Sequence, residues 1–207
     1  YGLEHAGIGR YVMNLLRNFQ FPNSKFQFIL LVKREKLEEI KSELGTNFEY
    51  VPVKSKHYSL TEQFEIPWVL RKISPDLVHF PHFNACFLWP GNFAVTIHDL
   101  IKHYFRGKQT TTRATWCYWL KYLGYRALVN FALKQSNLIF TPSHYWREKL
   151  ITDFGVDEKK IMVTYEAVDP LFLQLAKTQQ KGIREKFDLD GPFLIYTGRV
   201  YTHKNVN

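Results

Sequence analysis

The chain has 207 residues, 45% of them hydrophobic, and a formal net charge of +9 at pH 7. Such a chain can bury a full core, which excludes disorder, and its Gly and Pro content excludes a fibrous or low-complexity chain. The longest apolar run, 28–32, is too short for a membrane-spanning helix, and two cysteines make no disulfide framework.

Ile8, Val12, Leu15, Leu16 and Phe19 recur at helical spacing, which predicts a helix over 8–20 with one apolar face. The continuous apolar run 26–32 predicts a strand buried on both faces. A charged helix follows over 35–44, stopped by Gly45, then an alternating strand over 48–53. A helix over 60–73 is expected to be interrupted by Pro67, and 77–80 and 93–97 are short apolar strands. An aromatic-rich helix is predicted over 112–135, bent near Gly124, and a strand over 138–141. Ser143 caps a helix that ends at Gly155, and 161–165 is another strand.

Strands alternating with helices imply parallel βαβ units, hence an α/β, Rossmann-like, doubly wound parallel sheet. Its ligands bind at the carboxyl ends of the strands. The polar stretch 170–191 is predicted to connect a domain over 1–169 to the first strand and loop of a second domain over 192–207, with a strand at 193–196.

The positive charge is scattered along the chain, as on a solvated surface; anionic lipid, a phosphorylated substrate or nucleic acid are the functional alternatives. No basic run is long enough to select nucleic acid. The predicted helix 112–135 mixes Trp116, Tyr118, Trp119, Tyr122, Tyr125 and Phe131 with Arg113, Lys121, Arg126 and Lys134. An interfacial helix has that composition, but these cations fall all around the helical wheel, which favours core packing. Cys86 and Cys117 are expected to be reduced thiols of a cytosolic protein.

Four segments carry candidate chemistry. Gly7 and Gly9 before the first helix let backbone N–H groups approach an anion at its positive end; plain turn chemistry is the alternative. Arg199 and Lys204 follow the strand predicted at 193–196, and two cations there can hold a diphosphate without a metal. The alternative is a solvated basic loop. His98-Asp99 closes the strand over 93–97, where an imidazole can bond a sugar hydroxyl or shuttle a proton; a satisfied turn is the bland alternative. His79 and His82 have a spacing that invites a metal, but no Cys/His cluster supplies further ligands. They are assigned to lining the same cleft, and no metal is expected.

Gly7-Ile8-Gly9-Arg10-Tyr11 before an amphipathic helix resembles the retaining, nucleotide-sugar-dependent glycosyltransferases of family 4, also called group 1. So do Val95-Thr96-Ile97-His98-Asp99-Leu100, Thr141-Pro142-Ser143, Tyr165-Glu166-Ala167-Val168-Asp169 and Tyr196-Thr197-Gly198-Arg199 with Lys204-Asn205. These segments stand in the family's order over nearly the whole chain. The subgroup most similar includes mannosyltransferases of surface polysaccharide assembly.

The resemblance implies the N-terminal half of a GT-B fold, in which this half binds the acceptor and the other half the sugar nucleotide. Carried over by motif, Gly7 and Gly9 fall on the loop near the donor phosphates, and His98 on the histidine that reaches the transferred sugar. Arg199 and Lys204 fall on the pair that holds the diphosphate. No cofactor or catalytic metal is implied. The partners are a nucleotide-sugar donor and a glycan or lipid-linked acceptor, with peripheral contact to an anionic membrane and no nucleic acid. The location is cytoplasmic, at the membrane's inner face. The family's first strand is expected to be missing before Tyr1 and its acidic donor-binding motif beyond Asn207, so these residues alone are expected to be inactive. Glu166-Ala167 replaces the family's usual Asn-Gly, and no role is carried onto it. Two other readings stay open: a non-catalytic basic module on membrane or glycan, and a sugar-nucleotide epimerase on the same two-domain plan.

Overall fold

The computed structural model describes residues 6–19, 25–105 and 115–168, with 172, 174, 182, 184–189 and 191–198. They divide into two compact units, one drawn from 1–99 and 121–165, the other from 100–120 and 166–207.

The first unit alternates helix and strand. Its elements are α1 (Ala6–Asn18), β1 (Ile29–Lys33), α2 (Leu37–Leu44), β2 (Glu49–Val53), α3 (Leu60–Ile73), β3 (Val78–Phe80) and β4 (Phe93–Thr96). After α4 (Ile101–Tyr104), a short helix of the second unit, comes α5 (Thr115–Gln135), which joins the first unit from Lys121. β5 (Leu138–Thr141), α6 (His144–Phe154) and β6 (Ile161–Val163) complete it.

Every strand pair is parallel: β1 with β2, and β3-β4-β5-β6 in that order. The connections that join β1 to β2, β4 to β5 and β5 to β6 carry helices, whereas β3 and β4 are joined by the loop 81–92, long enough for the crossover that a parallel pair requires. β4 is buried at all four residues, because Phe-Ala-Val-Thr has no charged side chain to keep in water and strands pair on both its edges. Phe93 and Val95 of this strand form the core with Ile97, Val129, Ile139, Leu150 and Leu70.

Local chemistry sets the helix ends. Ser143 Oγ accepts from the Trp146 amide at 3.2 Å, which satisfies one of the donors left unpaired in the first turn of α6. Gly155 closes α6 in the left-handed region, at φ +64°, where a Cβ is strained. α3 is capped in the same way, by Ser59 Oγ on the Glu62 amide.

Four expectations change. β1 is only half-buried, since among the described residues it pairs with β2 alone and joins no larger sheet. α3 runs unbroken through Pro67: the ring's φ fits a helix, one ladder bond is lost, and the buried ring restores apolar contact. Gly7 and Gly9 lie inside the first turn of α1 rather than in a loop ahead of it. Helical entry there costs little, because first-turn amides have no partner within the helix. Residues 193–196 are exposed and belong to no strand among the described residues; an extended segment becomes a strand only within a ladder.

Among the described residues no helix is long and apolar enough to cross a membrane. Cys86 is buried, and burial, helped by the charge of Glu62, pushes its thiol up to about 12, so it stays protonated and inert.

Two substitutions test this frame by urea denaturation. Ile139→Ala, in the fully buried middle of β5, should lower stability by about 3 kcal/mol. Gly155→Ala should cost about 1 kcal/mol through backbone strain alone, because nothing stands within 4 Å of the added Cβ.

Candidate functional site at the carboxyl edge of the sheet

The carboxyl ends of β3 and β4 lie side by side, because Val78, His79 and Phe80 pair in register with Phe93, Ala94 and Val95. Chain leaving β3 therefore passes beside chain leaving β4, and side chains from both meet. His79 comes from β3, Pro81 and His82 from just beyond it, Thr96 from the last position of β4, and His98 from two residues further.

Thr96 links three elements. Its hydroxyl, on a residue 2% exposed, lies 2.8 Å from His79 Nε2 and 3.4 Å from the Tyr11 hydroxyl of α1. Burial, helped by the nearby His98, pulls His79 down to about 4 from its ordinary 6.5. At neutral pH His79 is uncharged, and its ring also sits edge-on to Phe140 at 5.4 Å.

His98 is half-buried. Its Nε2 stands 3.0 Å from the Pro81 carbonyl. A carbonyl oxygen only accepts, so Nε2 carries the proton and donates. In the neutral ring the accepting nitrogen is then Nδ1, the atom suited to receive a hydroxyl proton donor. Tyr11 packs edge-on against the His98 ring at 4.7 Å, and the His82 ring lies parallel at 6.4 Å.

His82 is held from the other side by Tyr58, whose hydroxyl is 3.0 Å from Nδ1. Tyr58 is a non-glycine residue at φ +60°. That conformation costs about 1–2 kcal/mol and persists because its surroundings dictate it. The Tyr58 amide donates to Glu62 Oε2 at 2.8 Å, and Asn84 Nδ2 donates to the same oxygen at 2.8 Å. Just upstream, the amides of Lys54 and Ser55 donate to the two oxygens of Glu65 at 2.9 and 2.6 Å. Two carboxylates of α3 thus clamp the loop 54–59 and aim Tyr58 at the histidines.

The structure brings His79, His82 and His98 into one cluster, with His79 turned to Thr96 and His82 and His98 toward one another. Asp99 is exposed at the same edge. Gly9 is buried and Gly7 exposed in the first turn of α1, the helix that supplies Tyr11. Arg199 and Lys204 lie outside the described residues. Among the described residues no group of three His, Cys, Asp or Glu side chains could hold a metal ion.

Three residues of this cluster escape sequence reasoning. Tyr11 and Thr96 stand inside the quoted segments, yet nothing in their spacing says that they meet across 85 positions. Tyr58 is selected by a backbone conformation that no local pattern announces.

A sequence profile described as Glycosyltransferase Family 4 matches residues 5–171. Among solved structures, the crystal structure of a glycosyltransferase from Rickettsia africae ESF-5 is similar at a TM-score of 0.52 and 15% identity, over 90% of this chain and 47% of that one. The likeness is one of fold, Rossmann-like α/β with parallel sheets, and the chain spans about half the length of that structure. No curated protein matches the chain.

The low affinity of folded His79 for a proton has a pH signature. Between about 6.5 and about 4 the unfolded chain takes up a proton that the folded chain refuses, so acidification favours unfolding. Stability should fall by roughly 1 kcal/mol per pH unit across that window. In His79→Gln this contribution should vanish, as measured by urea denaturation at stepped pH; an unchanged slope would show that His79 titrates normally.

Proposed function

The chain belongs to glycosyltransferase family 4, and on that premise we propose that the whole protein transfers a sugar from a nucleotide-sugar donor to a glycan or lipid-linked acceptor, with retention of configuration. The observation that carries the reading is His98, half-buried at the carboxyl edge of the sheet and oriented by Pro81 and Tyr11. Ligands of open parallel sheets bind at that edge.

In this reading His98 Nδ1 accepts a hydrogen bond from a hydroxyl of the transferred sugar and helps to set the position of its reacting carbon. Tyr11, Thr96 and His79 act as positioning residues behind it. The bond between that carbon and the leaving phosphate oxygen breaks as the acceptor hydroxyl forms its bond on the same face. The acceptor proton passes to the departing phosphate, so charge and protons balance. Arg199 and Lys204 neutralise the growing negative charge on the diphosphate, and the first-turn amides of α1 around Gly7 and Gly9 add partial positive charge. No metal takes part in this scheme. Mannose is the transferred sugar favoured by the subgroup resemblance.

The chemistry asks His98 for orientation of the sugar rather than for affinity toward the nucleotide. In the full-length protein, His98→Ala should therefore lower transfer about a hundredfold or more while nucleoside diphosphate affinity, measured by calorimetry, stays within a few-fold. Lost nucleotide binding with normal turnover of bound donor would overturn that role. Lys204→Ala should slow turnover by about two to three orders of magnitude, and a near-normal rate would remove Lys204 from the mechanism. Product analysis with labelled donor separates transfer from epimerisation.

A further inference from the structure

Helix α3 is apolar on two sides. One side carries Val69, Leu70 and Pro67 into the core. The other presents Leu60, Phe64 and Trp68 to solvent, 82%, 66% and 57% exposed. At four-residue spacing these three lie along one sector roughly 120° wide, which Arg71 and Lys72 share. The adjoining loop widens the patch: Phe87 and Leu88 are exposed, the Phe87 amide donates to Gln63 of α3 at 2.9 Å, and Arg71 donates to the Leu88 carbonyl at 3.0 Å.

The charge around this patch is mainly positive, with one exposed acid, Asp76, in the groove that Arg71 also lines. Lys72 Nζ stands 3.6 Å over the Trp68 ring, Arg71 is exposed beside it, and Lys54 and Lys56 are exposed in the loop that enters α3. The acids of the helix are turned to other work: Glu62 is buried on Tyr58 and Asn84, and Glu65 holds the Lys54 and Ser55 amides. A second copy of the chain laid on this face would set cations against cations in either helix direction.

We propose that the solvent face of α3, with the 87–88 loop, docks the protein onto an anionic lipid surface. Leu60, Phe64 and Trp68 enter the headgroup boundary, and Arg71, Lys72, Lys54 and Lys56 meet lipid phosphates. Trp68 with its overlying Lys72 has the apolar body and wet end that such a boundary favours. This docking is independent of the transfer reaction and is tested without it.

The test is co-sedimentation of the chain, at low salt, with vesicles of phosphatidylcholine alone or mixed with phosphatidylglycerol. The chain should pellet with the mixed vesicles, release as salt rises, and stay in solution with phosphatidylcholine alone. Phe64→Ser/Trp68→Ser should weaken partitioning about tenfold or more, and Arg71→Gln/Lys72→Gln about thirtyfold, at about 1 kcal/mol for each basic residue near such a surface. Trp119→Ser, on α5, should pellet like the parent chain. Both double variants replace exposed side chains, and melting curves check their folding; should the serine pair not fold, the glutamine pair carries the test. The proposal is overturned if the parent chain ignores anionic vesicles or binds both kinds alike. It is equally overturned if the α3 variants pellet unchanged, if only Trp119→Ser loses binding, or if sedimentation equilibrium shows a dimer that the α3 variants abolish.

Discussion

Parallel pairing of four strands in register is the constraint from which the site follows. Once β3, β4, β5 and β6 run in one direction, every strand ends at the same edge. Side chains that leave the strands there converge whatever their distance in sequence. Burial of all of β4 makes that edge rigid, since a strand covered on both faces has no freedom to slip. Thr96, the last residue of β4, is where this rigidity reaches chemistry: its hydroxyl joins α1 to β3 through Tyr11 and His79.

Three neighbouring histidines would repel one another if all were charged. Desolvation settles the matter at His79, which stays neutral and serves as a hydrogen-bonding partner inside the fold. His98 is then oriented by neutral contacts, a carbonyl on one side and an aromatic edge on another. Tyr58 closes the cluster from a strained backbone, and that strain is held by Glu62 and Glu65, ionisable groups spent on backbone amides. A conformation so firmly imposed from outside is characteristic of places where a ligand must be met in one geometry.

Helix α3 serves both the site and the surface. Its buried side fills the core, its carboxylates shape the loop that carries Tyr58, and its outer side stays apolar. Because apolar residues stand on opposite sides of the helix, they cancel in any measure of amphipathic character, and the segment looks like an ordinary core helix from its spacing alone.

Local signals in the sequence determine a good deal. The strands at β2 to β6 and the helices α2, α3, α5 and α6 are legible within a few residues, because apolar periodicity, Ser143 and Gly155 act over short range. The order of the quoted segments identifies the family, and His98 is legible as a candidate because it follows a strand end. Only the tertiary structure decides that Gly7 and Gly9 fall inside α1, that Pro67 leaves α3 whole, and that 193–196 belongs to no strand among the described residues. Likewise, only folding brings Tyr11, Tyr58 and Thr96 to the histidines and turns Phe64 and Trp68 outward. The physical reason is the same throughout. Periodicity and capping are properties of neighbours along the chain, whereas pairing, burial and strain depend on groups that only folding makes neighbours.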